Sequence, residues 1–108
     1  MDALEGWKVV GVVSAGFPSP AEGFEDPELD LHDYLVTRRE ATYFFRAAGH
    51  SMKDEGIPDG AVVVVDRSVT PKPGRLAVVE GDGGFQIARL TRAPSTVFGV
   101  IVASVVKF

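Results

Sequence analysis

Seven prolines and twelve glycines among 108 residues cut this chain into short runs, and short runs bounded by turn residues are the material of a mostly β domain. The segment "ATYFFRAAG", residues 41–49, gathers β-branched and aromatic side chains and stops at Gly49. "GAVVVVDRS", residues 60–68, is a continuous apolar run between turn signals, which predicts a strand buried on both faces. "PKPGRLAVVEGDGGFQIARL" predicts a hairpin, with strands Leu76 to Glu80 and Phe85 to Leu90 joined through Gly81-Asp82-Gly83-Gly84. "VFGVIVASVVKF" predicts a last strand, bent at Gly99 or Ser104. Over 27–39, "PELDLHDYLVTRR", Pro27 near the start and Asp30 in the first turn predict one short amphipathic helix. Leu31 and Leu35 of that helix read as core residues.

Residues 1–23 stand apart as an N-terminal arm. Pro18 and Pro20 deny the segment "SAGFPSPAEG" both a helix and a central strand, so it is expected to be extended and accessible. Residues 24–108 then form a single small domain, long enough for a modest core without disulfides. There is no internal repeat and no low-complexity segment.

Composition removes several classes of function. A net charge of −4, with eleven basic residues scattered and none in a run longer than Arg38-Arg39, argues against nonspecific nucleic-acid binding. The absence of cysteine excludes disulfides and thiolate metal sites, and agrees with a reducing compartment. Two histidines offer little for a metal centre. No apolar stretch approaches the roughly 20 residues of a membrane helix. The first residues carry Asp2 and Glu5 where a signal peptide is positive, and Gly11 breaks their apolar run, so a signal peptide is not expected. "GDGGF" lacks the Lys-Ser/Thr ending of a phosphate-binding loop and joins two strands, which makes it a hairpin turn. "DEGIPDG" lacks the alternating acids and distal Glu of a calcium loop, so it is also a turn.

One serine is a candidate for chemistry. Ser51, in "AAGHSMKDEGIPDG", lies between glycine-rich turns beside His50. A serine hydroxyl is a poor nucleophile without a base, and His50 is badly placed to serve as one, because adjacent side chains of an extended segment point apart. His32 belongs to the predicted helix next to Asp33, and nothing in the sequence draws it to Ser51. From residue types alone, Ser51 reads first as a turn serine capping "MKDEG".

The motifs taken together change that reading. "GFPSPAEG", "ATYFFRAAGHSMKDEGIPDGAVVVVDRS", "GDGGFQIARL" and "VFGVIVASVVKF" occur in order from about Ala15 to Lys107, and the chain resembles UmuD-like members of the LexA/UmuD self-cleaving serine peptidase family. The resemblance implies a mainly β fold of the LexA/UmuD (signal-peptidase-like) type, with one short helix and an extended N-terminal arm. It implies self-cleavage at Ala15-Gly16, with Ser51 as nucleophile and backbone N–H groups around Ser51 holding the oxyanion beside the tight turn at Gly49. It implies no cofactor.

The family's general base is a lysine, kept neutral by burial, in the second strand of the hairpin. It falls at residue 88, 37 residues after Ser51, and residue 88 is Ala. Arg89 is permanently protonated and is expected on the opposite face of the strand, while Lys53 sits in a polar turn. Neither is expected to replace the base, so the chain is expected to be catalytically inactive. Ala88 is either a change made to trap the uncleaved form or a natural loss. A second departure lies between "ARL" and "VFGV", where relatives carry roughly twenty residues more, enough for two further strands. Here "TRAPST" alone joins them, through a true trimming or through residues missing from the chain.

What the resemblance implies about biology is an accessory subunit of an error-prone translesion DNA polymerase in the bacterial SOS response. Its expected partners are a second copy of itself, a RecA filament on single-stranded DNA, and a UmuC-like Y-family polymerase, in the cytoplasm. The 15 residues ahead of Gly16 are too few for a helix-turn-helix domain, so direct specific DNA binding is not expected. The alternatives are a peptidase-domain fragment of a LexA-like repressor and a non-catalytic dimeric docking module. A signal-peptidase-like enzyme acting on other proteins is disfavoured by the lack of a membrane anchor.

Overall fold

A computed structural model of the chain describes residues 15–16, 29–93 and 95–108. The chain divides into residues 1–34 and residues 35–108, each considered by itself. Of the expected arm, Ala15 and Gly16 form an exposed bend, and the remainder lies outside the described residues. The helix is shorter than predicted: α1 covers Leu31–Leu35 only. Its start is fixed by Asp30, whose Oδ1 accepts the N–H groups of His32 (2.9 Å) and Asp33 (3.2 Å), as an N-terminal cap does. By Arg38 the backbone is extended, and a 3-10 turn, Arg39–Ala41, leads into the sheet. Five residues make too short a helix to present an apolar stripe, and Leu31 is 63% exposed, so its expected place in the core is not found.

The β prediction holds closely. Among the described residues five strands, β1 Thr42–Arg46, β2 Val62–Asp66, β3 Leu76–Gly81, β4 Gly84–Arg89 and β5 Thr96–Val105, form one antiparallel sheet in the order β1-β2-β5-β3-β4. β2 lies inside the sheet, between β1 and β5, and its residues Val63, Val64 and Val65 are fully buried, so both faces of the strand are covered as its unbroken apolar run requires. The β3–β4 hairpin closes at Gly81 opposite Gly84, with Asp82-Gly83 between them. Gly84 has φ +103°, so the left-handed residue follows the two turn residues, as in a type I turn with a glycine bulge.

The predicted bend in β5 resolves into two bulges. Val78 faces Gly99 while Val79 faces Val97, leaving Phe98 as the extra residue beside Gly99. Val64 faces Ala103 while Val65 faces Ile101, leaving Val102 as the second; Ser104 stays in register opposite Val63. The main core lies on one face of the sheet, where Ala47, Ile57, Ala61, Val63, Val65, Val78 and Ile101 pack together. Phe45, Met52, Ile87 and Phe98 border it. Burying such aliphatic side chains stabilises by about 1.5–3 kcal/mol each, which is what holds so small a sheet together. No helix among the described residues is long and apolar enough to cross a membrane.

Candidate active site

The two edge strands, β1 and β4, stand at opposite ends of the strand order but meet in space. Phe45 on β1 and Phe85 on β4 contact edge to face with ring centroids 5.3 Å apart, and Phe98 on β5 touches both. The sheet is therefore curled, and a slot of about 340 Å³ remains between the two edges. One wall is Phe45 to Gly49, the end of β1 and its continuation; the other is Phe85 to Ile87 of β4; Ser51, Met52, Ile57 and Val78 complete it.

Both walls present unpaired backbone. Ala47 is bonded inward, donating to the Ala61 carbonyl (2.7 Å) and accepting from the Gly60 N–H (2.8 Å). Alternation in an antiparallel ladder then turns the N–H and C=O groups of Arg46 and Ala48 outward, to the slot. On β4 the Leu90 N–H bonds inward to the Arg75 carbonyl (2.8 Å), and by the same alternation Phe85 and Ile87 face outward. The slot thus has the two open edges that an extended peptide fills as an inserted strand.

Ser51 is exposed at this slot. It does not cap the following turn: Met52 occupies the cap position of the 3-10 turn Lys53–Glu55, with no side-chain cap bond. Among the described residues the Ser51 hydroxyl has no hydrogen-bond partner, and neither do the N–H groups of His50, Ser51 and Met52. Gly49, immediately before them, has φ +99°, a conformation that glycine takes without penalty. The serine is accordingly flanked by free N–H donors after a glycine turn, the arrangement that oxyanion stabilisation needs.

Ala88 stands on β4 opposite Ala77, half-buried, and its neighbours Gln86 and Ile87 line the slot. Ala88 itself is not among the residues lining the slot, whereas Arg89, expected on the face away from Ser51, reaches the Ser51 turn, pairing with Glu55 while donating to the Gly74 carbonyl. Lys53 and His50 are exposed, and His32 lies near Asp33 (3.8 Å). Among the residues lining the slot, Arg46 is the one with a charged side chain, and its Nη1 is bonded to the Gly60 carbonyl at 2.9 Å. A guanidinium cannot take a proton at neutral pH, so among the described residues the slot holds a serine hydroxyl and N–H donors but no side chain that could take the serine proton. Asp59 and the Phe45–Phe85 contact are not signalled by the sequence. "PDG" read as a plain turn, and nothing in a sequence reveals that two edge strands will touch.

The pattern of the family described as Peptidase S24-like matches residues 8–99. The chain belongs to that family. Protein MucA of Salmonella typhimurium is 50% identical to it over 82 residues, 76% of this chain and 56% of that protein. Protein ImpA of Escherichia coli is 45% identical over 80 residues, 74% of this chain and 55% of that protein. LexA repressor 1 of Xanthomonas campestris pv. campestris is more distant, 36% identical over 96 residues, 89% of this chain and 47% of that protein. The chain therefore spans about half the length of the curated relatives it matches, and it is nearer to the UmuD-like members of the S24 family than to the LexA repressor. Its mainly β, five-stranded sheet with one short helix is consistent with the S24 fold.

Proposed function

We propose that this chain is a UmuD-like accessory subunit of an error-prone translesion polymerase in the bacterial SOS response, built to be switched by self-cleavage at Ala15-Gly16. In this reading Ser51 attacks the Ala15 carbonyl, the N–H groups around Ser51 hold the oxyanion, the Gly16 amine leaves, and the slot between β1 and β4 takes the segment in extended form only for the cut. The observation that carries the reading is the free Ser51 hydroxyl at a slot with two open strand edges. The small residues Ala15 and Gly16 suit a backbone that must approach a nucleophile closely. A lysine at residue 88 completes the dyad in this reading, and with Ala88 the chain keeps its arm. Its partners are a second copy, a RecA filament on single-stranded DNA that stimulates the cut, and a UmuC-like Y-family polymerase, all in the cytoplasm. Release of a segment by proteolysis is then the switch.

The lack of a proton-accepting side chain among the described residues of the slot favours one second reading, a non-catalytic module that binds extended peptide and docks on the polymerase. The experiment that separates the two is Ala88→Lys at mildly alkaline pH, where a lysine base is neutral. The expected result is slow conversion to a fragment beginning at Gly16, seen by mass spectrometry and abolished by Ser51→Ala. An intact chain, even with activated RecA, leaves the docking module as the better description.

A further inference from the structure

The turn that carries Ser51 is gripped by a side chain from a separate turn. Asp59 Oδ1 accepts the Gly49 N–H at 2.7 Å. Asp59 is itself firmly mounted, because its turn is tied to the end of β1 on both sides. The Gly60 N–H donates to the Ala47 carbonyl (2.8 Å), the Ala47 N–H to the Ala61 carbonyl (2.7 Å), and Arg46 Nη1 to the Gly60 carbonyl (2.9 Å). The carboxylate thus takes hold of the residue at which the chain leaves β1 for the Ser51 turn.

Gly49 explains why such a grip is needed. Glycine adopts positive and negative φ about equally readily, so the sequence gives no preference for the +99° that Gly49 has here. A Cβ at Gly49 would meet nothing within 4 Å, so the glycine is not there to make room for a neighbour. The turn after it is tied by backbone bonds from the Lys53 N–H to the His50 carbonyl (3.3 Å) and from the Ile57 N–H to the Met52 carbonyl (3.1 Å), while the bond held by Gly49 itself goes to the Asp59 carboxylate, and bonds to an ionised acceptor are roughly twice as strong as neutral ones. We propose that Asp59 is a positioning residue for Ser51: by capturing the Gly49 N–H it fixes the left-handed turn, and with it the direction in which the His50, Ser51 and Met52 N–H groups face the slot. This rests on Ser51 being the centre of the site.

The test compares Asp59→Ala, which removes the acceptor, with Asp59→Asn, which keeps an oxygen in the same place. In the otherwise unaltered chain, Asp59→Ala should speed amide exchange of Gly49 and shift the amide signals of Ser51 and Met52, and Asp59→Asn should restore most of both. In the Ala88→Lys background, Asp59→Ala should slow self-cleavage by about tenfold or more, the equivalent of one hydrogen bond lost from the transition state, and Asp59→Asn should recover most of the rate. If Ala88→Lys itself does not cleave, the peptidase reading fails and the amide measurements alone decide on Asp59. Unmoved Ser51 and Met52 signals in Asp59→Ala overturn the proposal, as does undiminished cleavage.

Discussion

The rings of Phe45 and Phe85 meet edge to face at 5.3 Å although their strands, β1 and β4, are the two ends of a five-stranded sheet. That contact turns a twisted sheet into a curled one, and the slot at Ser51 exists because the edges approach without pairing. Phe98 sits between the two rings at 5.4 and 5.3 Å, and Tyr43 adds a further edge contact to it. Phe98 is anchored in turn by Arg67, whose guanidinium lies 4.3 Å from the ring centroid and whose Nε donates to the Phe98 carbonyl.

Removing either end of this contact should have unequal effects. Phe45 is half-buried and packs on the core, so Phe45→Ala should cost about 3 kcal/mol, the low end for a buried aromatic. Phe85 is 55% exposed, and Phe85→Ala should cost about 1 kcal/mol, chiefly the ring contacts themselves. Denaturant midpoints measure both. Equal costs would mean that the curl is held by something other than the core side of the contact.

Most of this architecture was readable because turn residues punctuate it. The unbroken "VVVV" of β2 could only be a strand covered on both sides, and Gly81 to Gly84 could only close a hairpin. Where prediction went wrong, a short-range competitor had won: Asp30 captured two N–H groups and set the helix start at Leu31, four residues after Pro27. The site was legible in part. Ser51 and Gly49 stood out by motif, but Asp59 and Glu55 act on residues 10 and 34 positions away, and no local pattern encodes those pairings.

Gly99 marks a close approach that the sequence suggested only as a bend. A Cβ there would lie 2.5 Å from Val65 Cγ1 and 3.1 Å from Arg67 Cγ, at a buried position of β5. Gly99→Ala should therefore destabilise by about 1–3 kcal/mol through overpacking. Val65→Ala removes the methyl in the way, so the double variant should be more stable than the sum of the two single losses. A double-mutant cycle by chemical denaturation measures this coupling, and strict additivity would contradict the close approach.

The Glu55–Arg89 pair joins the Ser51 turn to β4, yet both side chains are well exposed, at 38% and 47%. Exposed pairs contribute about 0–1 kcal/mol, so Glu55→Gln should change stability by less than that and the change should fade at high salt. Arg89→Ala should cost more than Glu55→Gln, because Arg89 also donates to the Gly74 carbonyl. Thermal melts at low and high ionic strength distinguish the two contributions.

The open edges of the slot predict a pattern of backbone exchange. In β4 the amides of Gln86, Ala88 and Leu90 point toward β3, whereas those of Phe85, Ile87 and Arg89 point outward. Along β1 and its continuation the inward set is Tyr43, Phe45 and Ala47, and the outward set is Phe44, Arg46 and Ala48. Amide exchange followed by NMR should therefore alternate along both strands, slow for the inward residues and fast for the outward ones. A synthetic peptide spanning "VSAGFPSP", added in excess to the Ser51→Ala chain, should slow exchange at Arg46, Ala48, Phe85 and Ile87 if it enters as a strand between the edges. Protection at Arg46 and Ala48 alone would mean that the peptide pairs with one wall only, and that the β4 edge serves a different contact.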